Sequence, residues 1–281
     1  MLQLHIAVML FGLAGLFGKM LGIPATAIVF GRTFVAALAL AGLLLLRRAD
    51  SRLTLRLALA LFPTGALLAL HWLTFFHAIQ LSSVSTGLLS FATYPIFVAF
   101  IDPLFSNRRI HGRDVVSAAL VFAGLLLVVP SCEMSDRFVQ GALWGLASAA
   151  TFALLTLFNR RFVARTDAVT TGLFQNFWAA VCLCPFGASL LALNGSQVFQ
   201  IIFLGVFCTA LAHTLFILSL KKVRPQLASV TVGLEPVYGI VLAFLFLGEC
   251  PRVRELVGGA MIVAVVVAVS WWDNRLVAEH G

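Results

Sequence analysis

Ten apolar stretches fill this chain so completely that no water-soluble core can be built from it. They cover residues 3–21, 25–46, 57–79, 84–105, 115–130, 141–159, 168–191, 198–219, 226–247 and 255–272. As helices rising about 1.5 Å per residue, they match the roughly 30 Å of hydrocarbon in a bilayer. The connections are too short to hold a soluble domain. Hydrophobic residues make up 61% of the 281, charged residues only 11%, and the mean hydropathy is +1.05. A soluble domain carries about 25% charged residues. In lipid the backbone must satisfy itself, which leaves helices or a closed barrel. The alternating segments of a barrel are absent. The sequence therefore predicts an all-α polytopic membrane protein with ten transmembrane helices. Lys19 follows the first apolar run instead of preceding it, so that span reads as retained and not as a cleaved leader.

The net charge of +8 raises the question of nucleic acid, but its distribution answers otherwise. Of the 19 Lys and Arg, Arg47, Arg48, Arg52 and Arg56 precede the third span, and Arg108, Arg109 and Arg113 precede the fifth. Arg160, Arg161 and Arg165, then Lys221, Lys222 and Arg224, and finally Arg275 fall on the same side of the membrane. The other side receives Lys19, Arg137, Arg252 and Arg254, and Arg32 lies within a span. This asymmetry places both termini in the cytoplasm and makes the basicity a topology signal, with no nucleic-acid partner expected. Cys132 and Cys250 fall together on the outer side, where a disulfide survives if distance allows.

Sliding the sequence by 141 positions aligns 71–129 with 212–270 without a gap, and nine of the 59 positions are identical. Pro95 meets Pro236, Leu104-Phe105 meets Leu245-Phe246, and Arg113 meets Arg254. Tyr94 and Tyr238, the only tyrosines, stand within two residues of those prolines. Upstream, "FGLAG" at 11–15 pairs with "WGLAS" at 144–148, and "FGRTFVAA" at 30–37 with "FQNFWAA" at 174–180. The units are 1–131 and 138–281, together one membrane domain. Five spans each is an odd number, so the halves insert in opposite orientations, as the charge count also requires.

"LHWLTFFHAIQLSSVSTGLLSFATYPIFVAFIDPLF" and "LFILSLKKVRPQLASVTVGLEPVYGIVLAFLFLGE" resemble the two signature segments of EamA-type carriers of the drug/metabolite transporter superfamily. The second copy carries the "FLFLGE" ending at 244–249; in the first, Asp102-Pro103 interrupts the helix and Asn107-Arg108 replaces Gly-Glu. The resemblance implies two inverted five-helix repeats around a central cavity, with alternating access. It also implies a substrate such as an amino acid, another metabolite, a nucleotide sugar or a drug.

Such carriers bind substrate near the midplane, where the halves meet. Glu235 and Tyr94 stand there at equivalent positions, each just before a helix-breaking proline, Pro236 or Pro95. A carboxylate at that depth costs about 2.5–3.5 kcal/mol on insertion scales, so the expected gain is a polar site and a proton-coupling group. Arg32, whose counterpart is Asn176, binds a substrate carboxylate, pairs with Glu235, or serves structure alone. Trp72, aligned with His213, lies on one helical stripe with Phe75, Phe76 and Ile79, which suits either a ligand or a neighbouring helix. Gln175, Asn176 and Trp178 are candidates for a polar wall, and Tyr238 for a further contact. His71 and His77 lie six apart and do not share a face as metal ligands would. No P-loop, H-E-x-x-H or G-x-S-x-G is present, so neither cofactor, metal nor enzymatic activity is expected.

The expected function is a secondary-active carrier of the bacterial inner membrane exporting a small polar metabolite, with an amino acid or derivative first. The alternatives are a drug or cation efflux carrier and a flippase for a lipid-linked substrate. The expected partners are the small-molecule substrate and membrane lipids. Ten helices can enclose a path in one chain, and a dimer is equally compatible.

Overall fold

The computed structural model describes residues 2–46, 55–105, 110, 112–128, 133, 135–163, 166–223, 228 and 231–279. Arg47, Arg48, Arg52, Arg108, Arg109, Arg165, Arg224 and Cys132 lie outside the described residues, as do the side chains of Arg113 and Arg275. Among the described residues helices predominate and there is no strand.

Helix α1 (Leu2–Met20) turns at Gly22, whose φ of +63° is a left-handed conformation that a Cβ would oppose, into α2 (Ala25–Leu46). The third expected span is broken at Leu61 into α3 (Leu55–Ala60) and α4 (Phe62–Leu81), with a proline near the start of α4. The fourth is also two helices, α5 (Val84–Phe91) and α6 (Tyr94–Ile101), followed by α7 (Gly112–Val128). After α8 (Arg137–Val163), Asp167 caps α9 (Ala168–Leu183) by accepting from the Val169 and Thr170 amides. A proline at 185 then tightens the chain into a 3₁₀ stretch over Cys184–Ala192. Asn194 and Gln197 form a capping box on α10 (Gly195–Gly205), which widens into a π-helical stretch, Val206–Leu211, before α11 (Ala212–Ser219). Helix α12 (Glu235–Leu247) ends at Gly248 with φ +65°, and α13 (Val253–Glu279) follows.

Among the described residues, seven helical stretches are long and apolar enough to cross a membrane, and Val115–Val128 and Glu235–Leu247 are shorter apolar helices. Large apolar side chains stand outside, as Leu45 (79% exposed) and Phe199 (69%) do, so the exterior matches lipid and not water.

The core is shared between the two halves of the chain. Helix α4 packs on α8, α2 on α9, α1 on α12 and α7 on α13. Small residues permit the closest approaches. A Cβ on Gly12 would stand 3.0 Å from both the Glu235 carbonyl oxygen and the Gly239 nitrogen, so α1 and α12 touch backbone to backbone beside the first turn of α12. On α8, Gly141 and Gly145 face Ser82 and Ser90, which seats that helix against α4 and α5.

Candidate functional site

The two proline positions open their helices with the same backbone pattern. Thr93 N–H donates to Ser90 O and Ile96 N–H to Thr93 O; 141 residues later, Leu234 N–H donates to Thr231 O and Val237 N–H to Leu234 O. Tyr94 and Glu235 each become the first residue of a new helix in the protein interior. A carboxylate there meets the positive end of the helix dipole, which offsets part of its burial cost.

Glu235, 3% exposed, faces a small cavity of about 20 Å³ with Arg32, His71, Trp72 and His213 around it. That is room for about one water. Phe75, Phe91 and Phe152 supply aromatic walls. The most accessible lining residue, Phe11, is only 8% exposed, so the cavity is shut off from both faces.

The π-helical stretch holds Arg32. Its Nε donates to Thr209 Oγ1 at 2.8 Å and its Nη2 to the Cys208 carbonyl at 3.0 Å, while the guanidinium lies 4.0 Å from the centre of the Trp72 ring. Among the described residues Arg32 and Glu235 make no direct ion pair. Both line the same cavity. The site therefore presents one guanidinium, one carboxyl group and an aromatic wall to an incoming group.

Of the residues expected at the site, Glu235, Arg32, Trp72 and His213 come together. Tyr94 does not line the cavity: its ring stacks on Phe91 with centroids 5.9 Å apart, and its hydroxyl donates to Thr156 Oγ1 at 3.1 Å. Phe91 and Phe152 belong to the lining, and Tyr94 packs against both. Trp178 stands away from the cavity, its indole N–H donating to Ala58 O and its ring edge-on to Phe62. Asn176 donates to Gly172 O within its own helix. Tyr238 packs partly buried beside α1, where a Cβ on Gly12 would meet its Cβ. His71 enters the lining without having been expected there. Its ring stacks on Phe152 at 4.5 Å and its Nδ1 lies 2.8 Å from Ser148 Oγ. Its one sequence signal is its place beside Trp72.

The model of the EamA-like transporter family matches the chain twice, over residues 1–129 and 139–271. The chain belongs to the EamA-like transporter family. An uncharacterized transporter of Bacillus subtilis, YxxF, is 24% identical over 271 residues, covering 94% of this chain and 86% of that protein. A crystal structure with 18% sequence identity superposes with a TM-score of 0.70 over 98% of this chain and 97% of the other, which shows a shared fold. Two further relatives carry names that mention a cargo. One is a probable terminal-alkyne amino-acid exporter of Streptantibioticus cattleyicolor, 23% identical over 66% of this chain and 63% of that protein. The other is an S-adenosylmethionine uptake transporter of Rickettsia bellii, 21% identical over 76% of this chain and 73% of that protein.

This EamA-family transporter has a second, larger concavity of about 760 Å³, lined by Leu89, Pro236, Ile240, Leu256, Gly259 and further apolar residues of α12 and α13. It lies on the opposite side of α12 from the Glu235 carboxylate. The polar cavity and the apolar groove thus share one helix but not one surface.

Proposed function

We propose that this EamA-family transporter is a secondary carrier that exports a small polar metabolite, an amino acid or a derivative, by alternating access between two inverted five-helix repeats. The observation that carries this reading is the pairing of Glu235 and Arg32 across one occluded cavity without a direct ion pair. A zwitterion satisfies both charges at once: its ammonium meets the carboxylate and its carboxylate meets the guanidinium. The repeated family match, the repeated backbone opening at Pro95 and Pro236, and the amino-acid exporter among the relatives support the same reading. Glu235 is the coupling group, carrying a proton when substrate is absent, and the termini lie in the cytoplasm of a bacterial inner-membrane protein.

The cavity holds about one water, so the shape seen here is closed around the site. Cargo enters when the helices separate toward one face; Glu235 then gives up its proton, and the carboxylate and the guanidinium take the ligand in place of water.

A lipid-linked cargo is the second reading, favoured by the apolar groove beside Pro236. A thermal-shift screen of the purified protein against amino acids, polyamines, nucleosides, cationic drugs and lipids separates the two. Stabilisation of wild type, but not of Glu235→Gln, by an amino acid supports the zwitterion site. Stabilisation by lipids alone contradicts it.

A further inference from the structure

A second polar cluster joins the central cavity at His213 and lies among α8, α9 and α11. His213 Nε2 is 2.9 Å from Gln175 Oε1, and Gln175 Nε2 donates to Asn159 Oδ1. The Gln175 oxygen faces His213, so Nε2 is the donor and Nδ1 a bare acceptor. Among the described residues Nδ1 has no partner, nor do Asn159 Nδ2 and Asn176 Oδ1. All three side chains are at most 1% exposed. Thr214 Oγ1 on α11 is a fourth buried and unpartnered polar atom.

A packed interface has no use for such atoms, because each buried orphan costs about 1–3 kcal/mol. Here one donor and two acceptors stand on three different helices, two of them on residues of the hydrogen-bonded chain through Gln175. None bears a formal charge, and a water, which donates and accepts, matches such a set. Asn159 immediately precedes Arg160 and Arg161, which lie on the more basic membrane face. The cluster therefore runs from the cavity wall at His213 to the residue just before the last turn of α8.

We propose that Asn159, Gln175, Asn176 and His213 line a water-filled vestibule that opens between the cavity and the basic face. The inference rests on the alternating-access reading. When α8, α9 and α11 separate, water satisfies all the orphan atoms at once. When they close, the Gln175 bridge to His213 and Asn159 reforms.

The test is thiol accessibility in membrane vesicles of both orientations, using full-length chain in which the five native cysteines are replaced. Gln175→Cys and Asn176→Cys are compared with Ala212→Cys, an unexposed apolar neighbour of His213, and with Ala14→Cys in the cavity lining. The probe is a charged methanethiosulfonate reagent. The vestibule predicts that positions 175 and 176 react at least about tenfold faster than position 212, and from the basic face only. Equal rates, or reaction from the opposite face, overturn it. Reaction at position 14 with silence at 175 and 176 leaves the carrier standing and removes the vestibule, whereas silence at 14 from both faces removes the carrier itself. Where a cysteine variant fails to fold, hydroxyl-radical footprinting of the unaltered protein replaces it. Oxidation at His213 above that at the apolar core residue Leu204, each divided by the intrinsic reactivity of its side chain, supports the vestibule, and equal corrected oxidation overturns it.

Discussion

Residues 90–96 and 231–237 open their helices with the same hydrogen bonds, yet the two regions do different work. In the first, Tyr94 turns its hydroxyl to Thr156 and lies behind Phe91 and Phe152, so the break is packed solid. In the second, Glu235 faces the cavity, and α12 presses backbone to backbone on α1 through Gly12 and Gly239. The position equivalent to Gly239 in the first half is Val98, which is buried in side-chain packing. The same local geometry thus serves as a scaffold in one half and presents a charge in the other. A cavity made this way is asymmetric even where the backbone is repeated.

The largest expected effect breaks that comparison directly. Glu235→Gln lowers transport by at least about tenfold, equivalent to about 1.4 kcal/mol of lost stabilisation, and removes its pH dependence. Vesicle transport of the screened ligand at several pH values reads both. Thr209→Val takes away the hydroxyl that fixes Arg32 at 2.8 Å, and costs about 1.5–3 kcal/mol because the partner is charged. Its melting temperature falls, and binding of a carboxylate-bearing ligand weakens with it. Gly239→Val imports the first half's residue and drives a side chain into Leu88. Overpacking of this kind costs about 1–3 kcal/mol, which thermal melting detects. Tyr94→Phe has the smallest effect. It loses one neutral hydrogen bond, about 0.5–1.5 kcal/mol, and leaves transport unchanged.

The helical membrane class was legible because long apolar runs admit no other solution. The subdivision of those runs was legible only in part. Prolines at 95 and 236 announce their breaks, but nothing in "VFCTAL" at 206–211 announces the π-helical turn that positions Arg32. Glu235, Arg32, Trp72 and His213 were readable from intramembrane charge and repeat alignment. Tyr94 shares that alignment and still sits outside the lining, because Phe152, which stands in front of it, comes from another helix. The same holds for Trp178, whose partner Ala58 is 120 residues away, and for His71, whose partner Ser148 is 77 residues away. Spacing within one helix carries no trace of such pairings.

The most direct test is ligand-linked proton release, followed with a pH-sensitive dye in weakly buffered solution. Wild type, Tyr94→Phe and Glu235→Gln are each mixed with the amino acid that stabilises wild type. Proton release from wild type and Tyr94→Phe, with none from Glu235→Gln, is the predicted result. Equal release from Glu235→Gln would place the coupling group elsewhere and contradict the assignment of the two halves to different roles.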